Sequence, residues 1–278
     1  MAQDDIQNSN SFQVKEPEMN NGVEIPKIIH FCWFSGDPFP VEVKECMESW
    51  KHFLPDYTIR QWTYEDAKSL NSQYVDDALK ARKWAFAADV VRLYAIYTEG
   101  GVYMDTDILL MNRFEEFKTN QFVTFHECYH DGTDNTYLEG IDASGNRKPD
   151  VDVRTLGIAL QAAFLMGTKG NKFCAHLLKK YNTISFDMQM IAPQIYSLEA
   201  ENLGYRYVNN TQLLEFDTKI YPSHFMAPRR RAITPESFAV HRCEHSWVTL
   251  SPKKQFARKI RRFFRGIRFY GQKVLKWG

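Results

Sequence analysis

The stretch from Trp84 to Asp107 constrains the fold more than any other part of this sequence. Its first part has apolar residues at helical spacing, which predicts a buried stripe on a helix formed by Phe86, Val90, Leu93 and Tyr97. Gly100–Gly101 then supplies the left-handed helix stop that glycine adopts at little cost. The β-prone residues 102–104 lead to Asp105 and Asp107, whose carboxylates would share one side of a strand. The stretch therefore predicts a helix, a turn, a buried strand and an acidic strand end.

Two carboxylates at strand spacing are suited to a hard divalent cation. Mg²⁺ and Mn²⁺ take oxygen ligands, and they commonly bind one or two carboxylates together with substrate phosphates. The carboxyl end of a strand in an open α/β sheet is also where ligands usually bind. An isolated D-x-D sequence is more often a solvated turn. Here a buried strand precedes it and the preceding helix carries the neighbouring charges Asp89 and Arg92, so the context favours a metal–phosphate site.

The beginning of the chain alternates strand and helix. Ile25–Phe34 is nearly all apolar, which predicts a strand buried on both faces, and Val41–Phe53 has a helical period. Tyr57–Trp62 alternates like a strand, and Thr63–Asp66 resembles the capping box that begins a helix. This order is typical of a parallel, helix-covered sheet of nucleotide-binding type. Without an internal repeat or a linker, one α/β domain over residues 24–250 is the simplest prediction.

The rest of the domain is predicted from shorter patterns. Strands are expected at Gln121–Phe125, Ala162–Met166, Tyr205–Val208, Lys219–Tyr221 and Phe238–His241, and helices at Asn171–Tyr181 and Pro193–Asn202. Residues 126–153 are polar and glycine-containing, which predicts a long excursion between elements. Because long loops in compact domains tend to be functional, we assign this excursion to the acceptor side of the site.

The two ends of the chain differ from the domain in composition. Residues 1–23 are polar and lack an apolar signal region, so we expect a disordered segment and no secretion signal. Ten of the 35 basic residues and none of the 34 acidic residues lie in residues 251–278, so the rest of the chain carries a net charge of −9. Apolar residues recur in this tail close to helical spacing. A basic amphipathic helix that binds an anionic membrane surface is therefore predicted.

Other partners for the tail remain open at this point. A basic helix can also dock on the acidic body of the protein or stay solvated. Nucleic-acid binding is not expected, because the sequence has no recognised reader motif. The five cysteines are scattered and form no C-x-x-C pair, which favours reduced thiols in a cytoplasmic protein.

Three segments carry a resemblance to a known family. They are PKIIHFCWFSG at 26–36, FAADVVRLYAIYTEGGVYMDTD at 86–107 and AVHRCEHSW at 239–247. They are similar, in order and approximate spacing, to the DXD-containing glycosyltransferases of family 32. That family includes bacterial capsule and lipopolysaccharide sugar transferases and yeast Golgi mannosyltransferases, with the clostridial glucosylating toxins as distant relatives. The resemblance implies a GT-A type fold, with a mixed, mostly parallel sheet and helices on both faces.

The resemblance also implies a role for individual residues. The donor-binding residues it implies are Trp33, Asp89, Arg92, Tyr103, Asp105, Ser246 and Trp247. Trp33 would stack on the nucleobase, although a tryptophan here is equally compatible with the core. Asp89 and Arg92 would contact the donor, the alternative being an ordinary pair on a helix surface.

The implied metal ligands are Asp107, Asp105 and His241, with Asp107 bound directly and Asp105 also reaching the donor. A lone histidine is more often structural than a ligand. In addition, His245 stands where the family pattern leads us to expect a small residue. Which of His241 and His245 binds the metal therefore remains open, with His241 favoured. Gln161 is a candidate catalytic group near the reactive face of the sugar, and it is equally plausible as a structural hydrogen bonder.

Together these features predict a metal-dependent, retaining glycosyltransferase that uses Mn²⁺ or Mg²⁺. The donor would be a nucleotide sugar, UDP-linked rather than GDP-linked. The acceptor would be a bacterial surface polysaccharide or a lipid-linked glycan, reached from the cytoplasmic face of the cell membrane. The alternatives are a catalytically inactive sugar-nucleotide module of the same fold and a metal phosphohydrolase.

Overall fold

A computed structural model describes residues 24–128 and 139–243. The predicted disordered segment at residues 1–23, Ser246 and Trp247, and the basic tail at residues 251–278 lie outside the described residues. Within the described part of the chain, no helix combines the length and the apolar character that crossing a bilayer requires.

The described chain forms six α-helices and eleven strands. The helices are α1 (Val41–Phe53), α2 (Tyr64–Lys68), α3 (Gln73–Lys80), α4 (Trp84–Glu99), α5 (Lys172–Tyr181) and α6 (Ala192–Glu201). The strands are β1 (Ile28–Cys32), β2 (Thr58–Trp62), β3 (Gly101–Met104), β4 (Ile108–Leu110), β5 (Phe122–Cys128), β6 (Ile158–Leu160), β7 (Phe164–Gly167), β8 (Gln212–Leu214), β9 (Thr218–Tyr221), β10 (Met226–Ala227) and β11 (Ala239–His241).

The central sheet has the strand order β2-β1-β3-β7-β5-β9-β8, with β6 paired to β5. Strand β1 runs parallel to β2 and β3, and β5 runs parallel to β9. The other neighbours in this sheet are antiparallel. The predicted mixed α/β sheet is confirmed.

The core is divided by this sheet into two apolar layers. Side chains that alternate along β3 go to opposite layers: Tyr103 packs with α2 to α6, whereas Val102 and Met104 pack with α1 and the strands near the C-terminal end of the described chain. This alternation follows from the pleat, because successive side chains on a strand point to opposite faces. Helices therefore cover both faces of the sheet, as expected.

Helix α4 lies in the middle of the first layer and is buried on nearly all sides. It ends at Gly100, which has a φ of 69°. Asp89 and Arg92 are 6% and 4% exposed, so the interpretation of this pair as a solvated surface pair is wrong. A buried charged pair on a central helix must be held by specific partners.

A second, three-stranded sheet has the order β10-β11-β4. Its strand β4 begins directly after Asp107 and pairs antiparallel with β11, so that Ile108 faces His241 in the register. The backbone N–H of Arg242 donates to the carbonyl oxygen of Asp107 at 3.1 Å. This sheet, whose strand β4 was not predicted, brings the end of the described chain to the D-x-D segment.

Other differences from the expected elements are local. The capping box at Thr63 and Asp66 is present at the start of α2, as predicted. The strand predicted at Tyr205–Val208 is wrong: this segment is irregular, and a strand forms only at β8. The alternating pattern came from Tyr205 and Tyr207, which are each 1% exposed and pack in the core from an irregular backbone.

Gly101 provides a test of this packing. Its φ is 109°, and a Cβ atom at this position would lie 2.7 Å from the carbonyl oxygen of Ile28 on the neighbouring strand. We expect Gly101→Ala to lower the free energy of unfolding by roughly 2–5 kcal/mol, through backbone strain and overpacking. Urea denaturation followed by circular dichroism measures this loss. Gly36→Ala is the control, because Gly36 has a φ of 71° but open space around it; it should cost only about 1–2 kcal/mol.

Candidate active site

The site lies at the edge where β1 and β3 end. These strands are parallel, so their carboxyl ends meet at the same edge of the sheet. Trp33 follows the last residue of β1, and Asp105 follows the last residue of β3. The backbone N–H of Asp105 donates to the carbonyl oxygen of Ala163 at 2.8 Å, which joins the D-x-D segment to the loop before β7.

Arg92 of α4 holds the acidic groups of this edge together. Its guanidinium lies 3.0 Å from an Asp89 carboxylate oxygen and 3.4 Å from an Asp105 carboxylate oxygen. It also donates to the carbonyl oxygens of Ala88 at 3.2 Å and Ala162 at 2.7 Å. Arginine presents five N–H donors in a planar fork, whereas lysine presents three from a single nitrogen. Arg92 therefore links α4, the D-x-D segment and the loop before β7.

Tyr103 completes this network from β3. Its hydroxyl donates to an Asp105 carboxylate oxygen at 2.9 Å, and the Arg92 guanidinium lies 4.9 Å from its ring centre. The Tyr103 side chain is buried, 1% exposed. The structure thus places Tyr103 between two of the residues predicted to bind the donor.

Burial disfavours the charged forms of the acidic side chains in this site. Burial raises the pKa of Asp89 to about 7, although the adjacent Arg92 guanidinium acts in the opposite direction. Burial also raises the pKa of Asp105; Arg92 opposes this rise and the Asp107 carboxylate adds to it. One arginine thus faces several carboxylates, and the site favours an additional positive charge.

His241 of β11 approaches the D-x-D segment from the second sheet. Its Nε2 atom lies 3.3 Å from an Asp107 carboxylate oxygen. Burial disfavours the charged imidazole, but the Asp107 carboxylate together with the Cys243 side chain outweighs that effect and raises the pKa of His241 well above its ordinary value. One ligand atom each from Asp105, Asp107 and His241 lie within 4.8 Å of one another. Two carboxylates and an imidazole at this separation are a fitting donor set for a divalent cation.

These side chains line one cavity of about 300 Å³. Every predicted site residue that the structure describes contributes to its wall: Trp33, Asp89, Arg92, Tyr103, Asp105, Asp107, Gln161 and His241. Ser246 and Trp247, and the alternative histidine His245, lie outside the described residues. The structure therefore brings the predicted residues together, while their individual roles stay predictions.

Trp33 and Gln161 are each held by the backbone. The indole N–H of Trp33 donates to the carbonyl oxygen of Asp37 at 2.8 Å, and its half-buried ring packs edge-on against Phe39 at 5.1 Å between ring centres. The Gln161 side-chain oxygen accepts from the backbone N–H of Ala163 at 2.9 Å. Its Nε2 atom is buried and has no hydrogen-bond partner among the described residues. Gln161 thus contributes to the cavity wall, while its amide nitrogen is itself buried.

Glu127 is a site residue that sequence reasoning missed. It is 5% exposed, belongs to β5 and lines the same cavity. The predicted strand ended at Phe125, which left Glu127 in the polar excursion. The strand continues to Cys128, and its alternation places Phe125 and Glu127 on the same face. The sequence signal that could have identified Glu127 is its position in the alternation of this apolar strand, two residues after Phe125.

An acidic cavity at the carboxyl edge of parallel strands, with a carboxylate–carboxylate–imidazole group, is typical of proteins that bind phosphorylated ligands through a divalent cation. Residues 40–124 match the family described as "Glycosyltransferase sugar-binding region containing DXD motif". This segment is therefore similar to the sugar-binding region of DXD-containing glycosyltransferases. The match includes Asp89, Arg92, Asp105 and Asp107, whereas Trp33, Gln161 and His241 lie outside it and join the site through the fold.

Several solved structures are similar to the chain at low sequence identity. The PaToxG glycosyltransferase is 16% identical over 64% of this chain and 69% of that chain, with a TM-score of 0.43. A glycosyltransferase involved in the glycosylation of the major capsid of PBCV-1 is 10% identical over 78% and 94%, with a TM-score of 0.44. The galactosyltransferase LgtC, solved with donor and acceptor sugar analogues, is 14% identical over 78% and 87%, with a TM-score of 0.37. No curated protein matches the chain significantly.

The Arg92 network can be tested by its effect on stability. Arg92→Ala leaves buried carboxylates without their counter-charge, so we expect the free energy of unfolding to fall by about 3–5 kcal/mol. Chemical denaturation of the purified variant measures this change. The control is Arg154→Ala, because Arg154 forms an exposed ion pair with Asp152 and its side chain is 46% exposed; it should cost at most about 1 kcal/mol. Equal losses in both variants would contradict the role given to Arg92.

Proposed function

We propose that this protein is a metal-dependent glycosyltransferase that transfers a sugar from a nucleotide-sugar donor with retention of anomeric configuration. The observation that carries the proposal is the meeting of Asp105 and Asp107 with His241 within 4.8 Å in the wall of a cavity that also contains the buried Asp89 and Arg92. The DXD-type sugar-binding region supports a sugar substrate. Membership of family 32 in particular remains a prediction.

Asp105, Asp107 and His241 would hold the cation. The raised pKa of Asp105, caused first by burial and then increased by Asp107, supports a site built for positive charge. When bound, Mn²⁺ or Mg²⁺ supplies Lewis-acid stabilisation of the diphosphate that leaves the sugar. The two carboxylates suit both Mn²⁺ and Mg²⁺, and the imidazole nitrogen, a ligand typical of transition metals, favours Mn²⁺.

The protein's own groups position the donor around this site. The Arg92 guanidinium contacts the carboxylates of Asp89 and Asp105 and donates hydrogen bonds to two backbone carbonyl oxygens. It therefore fixes those carboxylates in place. Asp89 and Asp105 would accept hydrogen bonds from sugar or ribose hydroxyls. Trp33, half-buried at the cavity wall, would stack on the nucleobase. Enclosure of the sugar by the cavity would exclude competing water.

The transfer step exchanges one bond to the anomeric carbon for another. The bond from the anomeric carbon to the nucleoside diphosphate breaks, a bond to the acceptor oxygen forms, and the proton of the acceptor hydroxyl passes to the departing diphosphate. Gln161, whose side chain belongs to the cavity wall, is the residue that we assign to the reacting face of the sugar. Retention is proposed from the family resemblance.

The donor and acceptor are proposed by class. A UDP-linked sugar is favoured as the donor by the family resemblance. A surface polysaccharide or lipid-linked glycan at the cytoplasmic face of the membrane is the proposed acceptor. The basic composition of residues 251–278 supports that location, since each Lys or Arg near an anionic leaflet contributes about 1 kcal/mol.

The metal role of Asp107 can be tested by substitution. We expect Asp107→Asn to lose donor hydrolysis and transfer by at least about 100-fold, because the amide removes the negative charge that holds the cation while the side chain keeps its shape. A panel of UDP- and GDP-sugars assayed with and without Mn²⁺ measures this loss, and circular dichroism confirms the fold.

Asp77→Asn is the matched control, because Asp77 belongs to α3 and does not line the cavity; its turnover should equal that of the wild type. Wild-type turnover in Asp107→Asn would remove the metal role. Binding of UDP and Mn²⁺ without turnover on any donor would support an inactive binding module instead, and release of inorganic phosphate would support a phosphohydrolase.

The base-stacking role of Trp33 predicts a specific kinetic change. Loss of a stacking interaction of about 1–3 kcal/mol in Trp33→Ala should raise the KM for the nucleotide sugar about 5- to 150-fold. The kcat should change little, because the contact exists equally in the ground state and the transition state. Trp33→Phe keeps an aromatic ring and should recover most of the affinity. A lower kcat with an unchanged KM would contradict the stacking role.

A further inference from the structure

Glu127 lies beside the imidazole of the proposed metal site. Its side chain is 6% exposed, and its Oε1 atom is 4.0 Å from the Nδ1 atom of His241. The other ring nitrogen of His241, Nε2, is 3.3 Å from an Asp107 carboxylate oxygen. The two nitrogens of this half-buried imidazole therefore face two different carboxylates, one from the D-x-D segment and one from β5.

The register of β5 determines this position. Phe125, two residues before Glu127, packs on Phe238 at 5.3 Å between ring centres, and Phe238 precedes β11 by one residue. His126 lies between them in sequence and points to the opposite face, where its Nδ1 is 3.2 Å from the Tyr205 hydroxyl. The pleat that directs Phe125 to Phe238 also directs Glu127 to His241.

The Nδ1 atom of His241 is buried and has no hydrogen-bond partner among the described residues. A separation of 4.0 Å is too long for a hydrogen bond, so the contact with Glu127 is a near approach in this structure. A buried polar nitrogen without a partner is costly and requires an explanation. A role as metal ligand would explain it, because a histidine that binds a metal through one ring nitrogen almost always donates its other ring N–H to a carboxylate, a carbonyl or water.

We propose that Glu127 is a positioning residue that accepts the Nδ1–H of His241 and thereby directs the Nε2 lone pair toward Asp105, Asp107 and a divalent cation. A neutral imidazole has one N–H and one lone pair. If the proton is held at Nδ1 by Glu127, the lone pair is on Nε2, the nitrogen that already faces Asp107. The inference rests on the metal site of the proposed function, and it assigns the ligand atom of His241.

The test is the affinity for Mn²⁺ in the presence of UDP, measured by isothermal titration calorimetry. We expect Glu127→Ala to weaken Mn²⁺ binding about 10- to 100-fold, the usual effect of removing such a partner. Glu127→Gln keeps a carbonyl oxygen that can accept the same N–H, so its loss should be clearly smaller. Thermal unfolding of each variant shows that it is folded before titration.

A double-mutant cycle with His241→Ala distinguishes positioning from direct contact. If Glu127 acts through His241, Glu127→Ala should cause no further loss of Mn²⁺ affinity in the His241→Ala background. A loss of equal size in both backgrounds would overturn the proposal, because Glu127 would then act on the cation or the donor by itself. An unchanged affinity in both Glu127 variants would overturn it as well.

Glu199→Ala is the matched control, since Glu199 lies 3.0 Å from another histidine, His176, and does not line the cavity. Its Mn²⁺ affinity should equal that of the wild type. If the wild type bound no Mn²⁺ with UDP, the proposed function and this inference would both be wrong. If the wild type bound Mn²⁺ and the Glu127 variants bound it equally well, only the inference would be wrong.

Discussion

The contact between the Arg92 guanidinium and the carboxylates of Asp89 and Asp105 is the interaction on which the site depends. Without a counter-charge, the buried carboxylate of Asp89 and the half-buried carboxylate of Asp105 would be costly beside a third, and they would take up protons instead. The same guanidinium holds the carbonyl oxygen of Ala162, so it also fixes the loop that carries Gln161. Charge compensation and loop geometry are thus achieved by one side chain.

The second constraint is the small sheet that joins β4 to β11. The D-x-D segment belongs to the central sheet at its start and to the small sheet at its end, because β3 precedes it and β4 follows it. Asp105 is therefore positioned by β3 and α4, whereas Asp107 is positioned by its pairing with the end of β11. Two separately built sheets define the distance between the two carboxylates and His241.

Much of this arrangement could be predicted from the sequence where the information is local. The stripe on α4, the stop at Gly100–Gly101, the capping box of α2 and the acidic end of β3 follow from spacing and from residue chemistry, and the structure has each of them. The charged pair on α4 was visible as a sequence spacing. Its burial was not, because burial depends on which other elements surround the helix.

The predictions failed where tertiary contacts override a weak local pattern. The short strands β4 and β10 carry too little alternation to be recognised, and they form because a partner strand lies beside them. Tyr205 and Tyr207 showed the converse: their alternation comes from two buried rings on an irregular backbone. Glu127 was missed because the end of β5 depends on its pairing with β6. The meeting of His241 with Asp107 likewise required the small sheet.

The pairing of β4 with β11 has a consequence for how the protein is assembled. Asp105 and His241 are far apart in sequence, and the three-residue strands that bring them together have little intrinsic stability. An ion that bridges them would act as a cross-link closing a long loop, and its binding energy would add to the folding energy of this region. Binding of the ion and pairing of β4 with β11 are therefore expected to occur as one cooperative step when the protein folds.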